Sequence, residues 1–218
     1  MSRPPQIEQI IAALMAQIVV GKAHLIVAKG LAESDPVVLN AAKTFFAMTI
    51  DSHIYSAQMH AARLHDKTRG ALTIRTLLER ADREAGKAKY GTADEVRKAI
   101  ASSEKSISTL VGALKALTTR RNSWLAHTDP RTLTDPIKMA ASARISFPDL
   151  ERIFSETGRV VNEFSRLFRD ITSIVDLIDQ TDYGTVIEFV SKVKCEQVRQ
   201  YEAEFKQPAP FPRPKGCE

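Results

Sequence analysis

The sequence predicts an all-α fold, and three observations support that prediction. Apolar residues recur every three to four positions along nearly every apolar segment, which is the period of an amphipathic helix. No segment alternates apolar and polar residues in the manner of a half-buried strand. Glycine accounts for only nine of 218 residues and aromatic side chains for 6%, so an all-β fold has little support. We therefore expect a bundle of about six helices.

Proline, glycine and capping residues set the predicted helix ends. Asp35 suits an N-cap because its carboxylate can accept backbone N–H groups, and Pro36 suits the first helical position. Asp129 and Pro130 are expected to end the fourth helix, and the stretch from Pro130 to Phe147 is expected to be a long connection of the kind that often has a function. The predicted helices are Pro5 to about Gly30, Pro36 to about Ala62, Leu72 to about Gly86, Thr92 or Asp94 to Thr128, Phe147 to about Val175, and Val186 to about Tyr201.

An apolar stripe along the second predicted helix indicates the face that this helix should bury. Its members follow steps of three and four residues, and the small side chains among the large ones suit close packing between helices. The stripe consists of Val38, Ala41, Phe45, Met48, Ser52, Tyr55, Met59 and Ala62.

The chain is predicted to form one helical domain over residues 1–206, followed by a flexible tail over residues 207–218 that contains four prolines. The two cysteines fall in different regions, Cys195 in the sixth helix and Cys217 in the tail. We therefore expect neither a disulfide nor a thiolate–metal site.

Composition and hydropathy predict a cytoplasmic protein without a membrane segment. The most apolar N-terminal run, from Ile10 to Val20, is too short to cross a bilayer and lacks a basic leader. The 31 basic and 26 acidic side chains give a formal net charge of +5. This charge favours contact with polyanions, but it is also common among proteins that bind none.

The fourth predicted helix contains the feature that points to chemistry. Continuing its apolar stripe in the same phase leads to Arg121, and His127 and Asp129 follow. A guanidinium group keeps its charge, so one that faces an apolar seam needs a carboxylate, a phosphate or water beside it. The stripe itself comprises Ile107, Leu110, Val111, Leu114, Leu117, Trp124 and Leu125.

Arginine and histidine together are the groups that metal-free cleavage of RNA needs. A histidine has a pKa near neutrality, so it can move the proton of a 2′-hydroxyl or of the leaving 5′-oxygen. An arginine can stabilise the charge that builds on the phosphorane, because its fork of N–H groups matches phosphate oxygens. Arg121 and His127 are therefore candidates for such a site.

The longer string Arg121-Asn122-Ser123-Trp124-Leu125-Ala126-His127-Thr128-Asp129 has the form R-N-x-x-x-A-H-x-D. It resembles the HEPN superfamily (the higher-eukaryote and prokaryote nucleotide-binding helical domains), and most of all its abortive-infection AbiU branch. The resemblance extends over about residues 5–200. It implies an antiparallel, HEPN-like helical bundle that dimerises, with the motifs of both subunits facing one cleft.

Many members of this superfamily are metal-independent ribonucleases of toxin–antitoxin or phage-defence systems. The resemblance therefore implies RNA as substrate, an antitoxin protein as a further partner, and no metal or other cofactor. Cleavage would be a transesterification by the 2′-hydroxyl that leaves a 2′,3′-cyclic phosphate. Carried over, Arg121 would stabilise the phosphate, Asn122 would support it, and His127 would be the acid and base. Asp129 would orient His127 or cap the chain exit.

Helix geometry leaves the identity of the phosphate-binding arginine open. In an ideal helix, Arg121 and His127 differ by about 120° in azimuth, whereas Arg120 lies within about 20° of His127. Either Arg120 shares the role, or the helix unwinds at its end, or the productive pair forms across the dimer.

Structural roles are the alternatives for the same residues. Arg121 could form an ion pair with a carboxylate such as Glu104 or Asp51. His127 could be a helix-terminal histidine that the helix dipole favours. Trp124 is more readily interpreted as an aromatic of the core or dimer seam than as a platform for stacked bases.

The other histidines are not expected to bind metal. His53 and His60 are seven residues apart, whereas zinc-binding pairs on helices usually lie four apart, and His24 and His65 are expected at the surface. Two alternatives to catalysis follow for the whole chain. One is a HEPN dimer that binds nucleotide, RNA or a partner protein without cleaving it, and the other is a purely structural dimerisation domain.

Overall fold

A computed structural model describes residues 5–68, 70–122, 137, 141, 143–173 and 182–217. Within these residues every regular element is helical, which confirms the all-α prediction. The described part of the chain contains eight α-helices and one short 3-10 helix. They are α1 (Ile7–Ala32), α2 (Pro36–Ala41), α3 (Lys43–Leu64), α4 (Ile74–Arg83), the 3-10 helix Ala85–Lys87, α5 (Ala93–Ser108), α6 (Val111–Arg120), α7 (Phe147–Arg169) and α8 (Asp182–Phe205).

Two of the predicted helices are each divided in two. The second is interrupted at Ala42, whose backbone leaves helical geometry with φ −141° and ψ 58°. The fourth is interrupted after Ser108, where Ser108 Oγ donates to the carbonyl of Lys105 and Thr109 Oγ1 donates to the carbonyl of Ser106. Such hydroxyl-to-carbonyl bonds compete with the helical pattern. Periodicity alone did not predict either break, because neither contains proline or glycine.

The predicted capping residues are confirmed at the starts of α2 and α5. Asp35 Oδ1 accepts the N–H of Val37 at 2.9 Å, with Pro36 following in the first turn. Thr92, rather than Asp94, caps α5 in a reciprocal pair with Glu95. A similar pair, Ser146 and Asp149, starts α7. Each cap satisfies backbone N–H groups that would otherwise lack a partner within the helix.

The chain divides into two compact units, of which the first comprises residues 1–25 and 55–178. In this unit α7 packs against α4, α5 and α6. Leu110 and Leu117 are buried in the same core and fix the position of α6. The buried apolar residues of α7 are Leu150, Ile153, Phe154, Val160, Val161, Phe164, Leu167 and Phe168.

A glycine permits a close helix contact in the first unit. A Cβ atom added at Gly21 of α1 would lie 2.5 Å from Phe154 Cζ and 2.8 Å from His60 Cβ. Only a residue without a side chain fits there, so Gly21 lets α1 approach the Phe154 ring and α3 directly.

The second unit comprises residues 26–54 and 179–218, and within it α2 packs against α8. Residues 207–217 were predicted to be a flexible tail, and in the structure they contact α8. The Glu202 carboxylate accepts the N–H of Ala209 at 3.2 Å and pairs with the Arg213 guanidinium at 2.5 and 2.7 Å. The buried apolar residues of this unit are Ala28, Leu31, Val38, Phe46 and Val198.

The prediction that the stripe on the second helix is buried is wrong for most of its length. Val38 and Ala62, at its two ends, are buried, whereas Phe45 is 60% and Met48 65% exposed. The neighbouring Phe46 is the buried residue instead, at 2%. The break at Ala42 separates Val38 from the rest of the stripe. Within α3, the buried residues Phe46, Ala57, Ala61 and Leu64 follow a different face of the helix from the stripe through Phe45 and Met48.

Helix α1 is longer than the apolar run on which the membrane prediction rested. It spans 26 residues and is long and apolar enough, by length and composition alone, to cross a membrane. The core helices of globular proteins meet the same criterion, and α1 buries Ile7, Ile11, Leu14 and Ile18 in the core of the first unit. A cytoplasmic location without a membrane segment therefore stays a prediction.

Candidate functional site

Two consecutive arginines lie at the C-terminal end of α6, where the predicted motif begins. Arg120 is the last residue of α6, and Arg121 keeps helical backbone angles, with φ −54° and ψ −51°. Leu117, one turn earlier, is buried and anchors this end of the helix in the core. Successive helical positions differ by about 100° in azimuth, so the two guanidinium groups leave the helix in different directions.

Arg121 has a carboxylate partner, as a guanidinium next to an apolar surface requires. Its Nη1 donates to Asp66 Oδ2 at 2.9 Å, and its Nε donates to Asn122 Oδ1 at 3.0 Å. The Arg121 and Asp66 side chains are 22% and 23% exposed. The partner is Asp66 rather than the predicted Glu104 or Asp51. These two hydrogen bonds use two of the five N–H groups of the guanidinium.

Asp66 is itself held by the turn that follows α3. Its Oδ1 accepts the backbone N–H of Thr68 at 3.0 Å and the Thr68 hydroxyl at 2.9 Å. Burial raises the pKa of the Asp66 carboxyl, but the hydrogen bonds from Thr68 and the charge of Arg121 outweigh it, so the pKa lies below its ordinary value. Asp66 is therefore ionised at neutral pH and balances part of the Arg121 charge.

Arg120 has a neutral partner. Its Nε donates to Gln58 Oε1 at 2.8 Å, and the Gln58 side chain is buried at 2% exposure. A neutral amide orients the guanidinium without balancing its charge. Among the described residues, the bond with Gln58 leaves the charge of Arg120 unbalanced, and Arg120 stays a candidate for contact with phosphate.

A cleft of about 1010 Å³ in the first unit is lined in part by Arg121. Faces of α4, α5 and α6 form its walls together with the end of α3. Its apolar lining includes Ile74, Leu78, Ile100, Ile107 and Leu114, its acidic lining Asp66, Glu79, Asp82 and Glu104, and its basic lining Lys67, Arg75, Lys115 and Arg121. An apolar surface with both signs of charge can accept ligands other than a polyanion.

His65 also lines this cleft, and its prediction as a surface residue is wrong. The ring is partly buried, and its Nε2 lies 2.9 Å from the hydroxyl oxygen of Thr157. Burial lowers the pKa of His65 to about 4. The ring is therefore neutral at pH 7 and cannot act there as a ready proton donor.

Two further histidines of the first unit, His24 and His60, contact each other. Their rings stack with centroids 6.0 Å apart, and His60 Nδ1 lies 2.6 Å from Gln17 Oε1. Among the described residues, no group of three or more His, Cys, Asp or Glu side chains is placed to hold a metal ion. The expectation that the protein uses no metal and no other cofactor stays a prediction.

Three predicted site residues, Trp124, His127 and Asp129, lie outside the described residues, as does most of the connection from Pro130 to Phe147. The structure brings Arg121 together with Asn122 and places Arg120 on a different partner. That Arg121 and His127 belong to one site stays a prediction.

Sequence reasoning missed two residues of the site, Asp66 and His65. The sequence offered one local signal, since an Asp two residues before a Thr is typical of a turn closed by the Asp side chain. The pairing with Arg121 joins residues 55 positions apart, and no local pattern predicts it.

A family model for HEPN domains, described as AbiU2, matches residues 6–189 of the chain. The match includes α1 to α7, the first part of α8 and the whole Arg121–Asp129 string. No curated protein and no solved structure matches the chain.

Proposed function

The chain belongs to the AbiU2 family of HEPN domains, and on this basis we propose that it is a metal-independent endoribonuclease of the phage-defence or toxin–antitoxin type. The proposal rests above all on the position of Arg121, the first residue of the motif. It lies at the anchored end of α6, beside a cleft, with part of its side chain exposed. RNA would be the substrate and an antitoxin protein a further partner, both in the cytoplasm.

Arg121 would stabilise the negative charge of the phosphate in the transition state. The contacts with Asp66 and Asn122 orient the guanidinium before substrate arrives, so less side-chain entropy is lost on binding. They also leave N–H groups for phosphate oxygens. Arg120, whose partner Gln58 carries no charge, would supply a second cation at the same end of α6.

His127 would act as general base and general acid. The 2′-oxygen of the RNA attacks phosphorus and gives its proton to one imidazole. The bond from phosphorus to the 5′-oxygen breaks, and that oxygen takes a proton from a second imidazole. In a dimer whose motifs share one cleft, the second imidazole is the His127 of the other copy. Asp129 would orient His127, and Trp124 would pack in the core or at the dimer seam.

Exposed apolar side chains in the second unit support the proposed homodimer. Phe45 and Met48, one turn apart on α3, are 60% and 65% exposed. Large apolar side chains that lie together on a surface are typical of interaction sites. We expect the double variant Phe45→Asp/Met48→Asp to shift the protein from dimer to monomer in sedimentation-velocity experiments at micromolar concentration. Thr44→Asp adds one charge at an adjacent exposed position and should leave the dimer intact. An unchanged dimer in the double variant would contradict the use of this surface.

Two substitutions of cleft-lining cations test the proposed function. Arg121→Met should lower the rate of RNA cleavage by about 10²- to 10³-fold, which is the usual effect of removing one donor to a charge that develops in the transition state. Lys115→Met removes an exposed cation from the same cleft and should change the rate by less than about threefold. The measurement is cleavage of end-labelled RNA at saturating enzyme. Equal rates for Arg121→Met and the unmodified protein would contradict the proposal.

The Asp66–Arg121 ion pair also supports a second candidate, a non-catalytic HEPN dimer that binds nucleotide, RNA or a partner protein. A guanidinium that a carboxylate already occupies fits a structural role, and four carboxylates line the cleft. Tight binding of RNA or nucleotide without any product would favour this function. If the chain is purely a dimerisation domain, Arg121→Met would leave ligand binding unchanged.

A further inference from the structure

Residues 207–217, which we call the strap, run back along α8 within the second unit. Besides the Glu202 contacts with Ala209 and Arg213, the ring of Phe211 meets the ring of Tyr201 edge to face, with centroids 5.8 Å apart. Later residues of the strap thus return toward earlier residues of α8. The strap is therefore antiparallel to the helix.

The far end of the strap is held by α2 and α8. The backbone N–H of Lys215 donates to Asp35 Oδ2 at 2.7 Å. Two residues on, Cys217 lies close to Cys195 of α8, since Gly216, its neighbour in the chain, lines the same cavity as Cys195. The Cys217 thiol and burial raise the pKa of the Cys195 thiol above its ordinary value. Both cysteines are reduced and partly exposed. Sequence patterns did not predict this proximity, because it depends on the return of the strap, which brings together residues that are 22 positions apart.

Cys195 and the strap residues just before Cys217 lie at a second cavity, of about 790 Å³, in the same unit. Cys195, Ser191 and Arg199 of α8 line one part of it, and Lys215 and Gly216 of the strap line another. The strap thus forms one wall of this cavity. A bond that holds the strap on α8 would also hold this wall in place.

We propose that Cys195 and Cys217 form a reversible disulfide that locks the strap onto α8, with a hydroperoxide as oxidant. One thiolate attacks a peroxide oxygen, which gives a sulfenic acid and releases hydroxide that is protonated to water. The second thiol displaces the sulfenic oxygen as water and completes the S–S bond. In sum, two thiols and one hydrogen peroxide give one disulfide and two waters. A dithiol reverses the reaction by exchange through a mixed disulfide.

The contacts along the strap are what should make this reaction efficient. A docked strap raises the effective concentration of Cys217 at Cys195 far above that of a free chain end. In a reducing compartment thiols stay reduced, and the few disulfides that form there are usually transient or regulatory. Such a pair is therefore expected to be reduced at rest and to respond to oxidant. The proposal is independent of RNA cleavage.

Peptide mapping tests the disulfide. The reduced, full-length protein is treated with hydrogen peroxide, blocked with N-ethylmaleimide, digested with trypsin without reductant and analysed by mass spectrometry. We expect the peptide Cys195–Arg199 to be joined to the peptide that begins at Gly216, and dithiothreitol to separate them. The joined peptide should be absent from Cys217→Ser. Two separately blocked or over-oxidised cysteines, or only cross-links between different molecules, would overturn the proposal.

A pair of charge substitutions on α8 tests whether docking of the strap brings the thiols together. Glu202→Gln weakens the contacts with Ala209 and Arg213 and should slow formation of the joined peptide by roughly fivefold or more. Glu204→Gln removes an exposed charge from the same helix and should leave the rate unchanged. Equal rates for Glu202→Gln and Glu204→Gln would show that strap docking does not govern the reaction, and the proposed lock would fail.

Discussion

Replacing His127 with alanine is expected to lower RNA cleavage by at least about 10²-fold, because general acid–base catalysis contributes about 10²- to 10⁴-fold. The variant should keep its helical circular dichroism spectrum and its affinity for RNA, since the imidazole acts on protons rather than on binding. The measurements are single-turnover cleavage and the dissociation constant of an uncleavable RNA that lacks the attacking 2′-hydroxyl.

His65 provides the matched control for this prediction. Among the described residues, His65 lines the cleft together with Arg121, and glutamine at this position keeps a polar group for Thr157. We expect His65→Gln to cleave within about threefold of the unmodified protein. Loss of cleavage in His65→Gln, with activity kept in His127→Ala, would contradict the assignment.

The pH profile distinguishes the same two histidines. A general base works only when it is deprotonated, so cleavage falls as the pH drops through its pKa. A histidine with an ordinary pKa of about 6.5 gives an acid limb near neutrality, whereas burial lowers the pKa of His65 to about 4. We expect the acid limb of the pH–rate profile to lie near neutrality, as for a general base with an ordinary histidine pKa. A limb near pH 4 would identify His65 instead.

Phe154→Ala is expected to destabilise the protein by about 3–5 kcal/mol, the usual cost of truncating a buried phenylalanine. Phe154 is fully buried in the core of the first unit and lies against Gly21. Its loss leaves a cavity between α7 and α1 that rigid helices fill only in part. The measurement is the urea midpoint followed by circular dichroism.

Phe189→Ala is the control for the core substitution. Phe189 on α8 is 69% exposed, so its removal should change the free energy of unfolding by less than about 0.5 kcal/mol. Equal shifts of the urea midpoint for the two variants would contradict the described core.

The features that the sequence predicted are those set by local chemistry. The caps at Asp35 and Thr92 depend on side chains within three residues of the helix start, so a pattern reveals them. The breaks at Ala42 and after Ser108 contain neither proline nor glycine, so no residue signals them. The exposure of Phe45 and Met48 was not predicted, because α3 has a second apolar face, through Phe46, Ala57 and Ala61, and this is the face that is buried.

The candidate site was predictable only where it depends on local sequence patterns. The apolar phase of α6 indicated that Arg121 needs a polar partner, and the structure supplies one. That the partner is Asp66, and that Gln58 holds Arg120, depends on packing between α3 and α6. The contact between Cys195 and Cys217 depends likewise on the return of the strap along α8. Single-sequence patterns do not encode such distant pairings.

The most direct test of the proposed ribonuclease is the chemistry of the product ends. The unmodified protein is incubated with a pool of RNA in excess EDTA, and the fragments are analysed by mass spectrometry. Transesterification by the 2′-hydroxyl predicts fragments with a 2′,3′-cyclic phosphate at one end and a 5′-hydroxyl at the other. Cleavage only with added metal, or fragments with a 3′-hydroxyl and a 5′-phosphate, would contradict the mechanism.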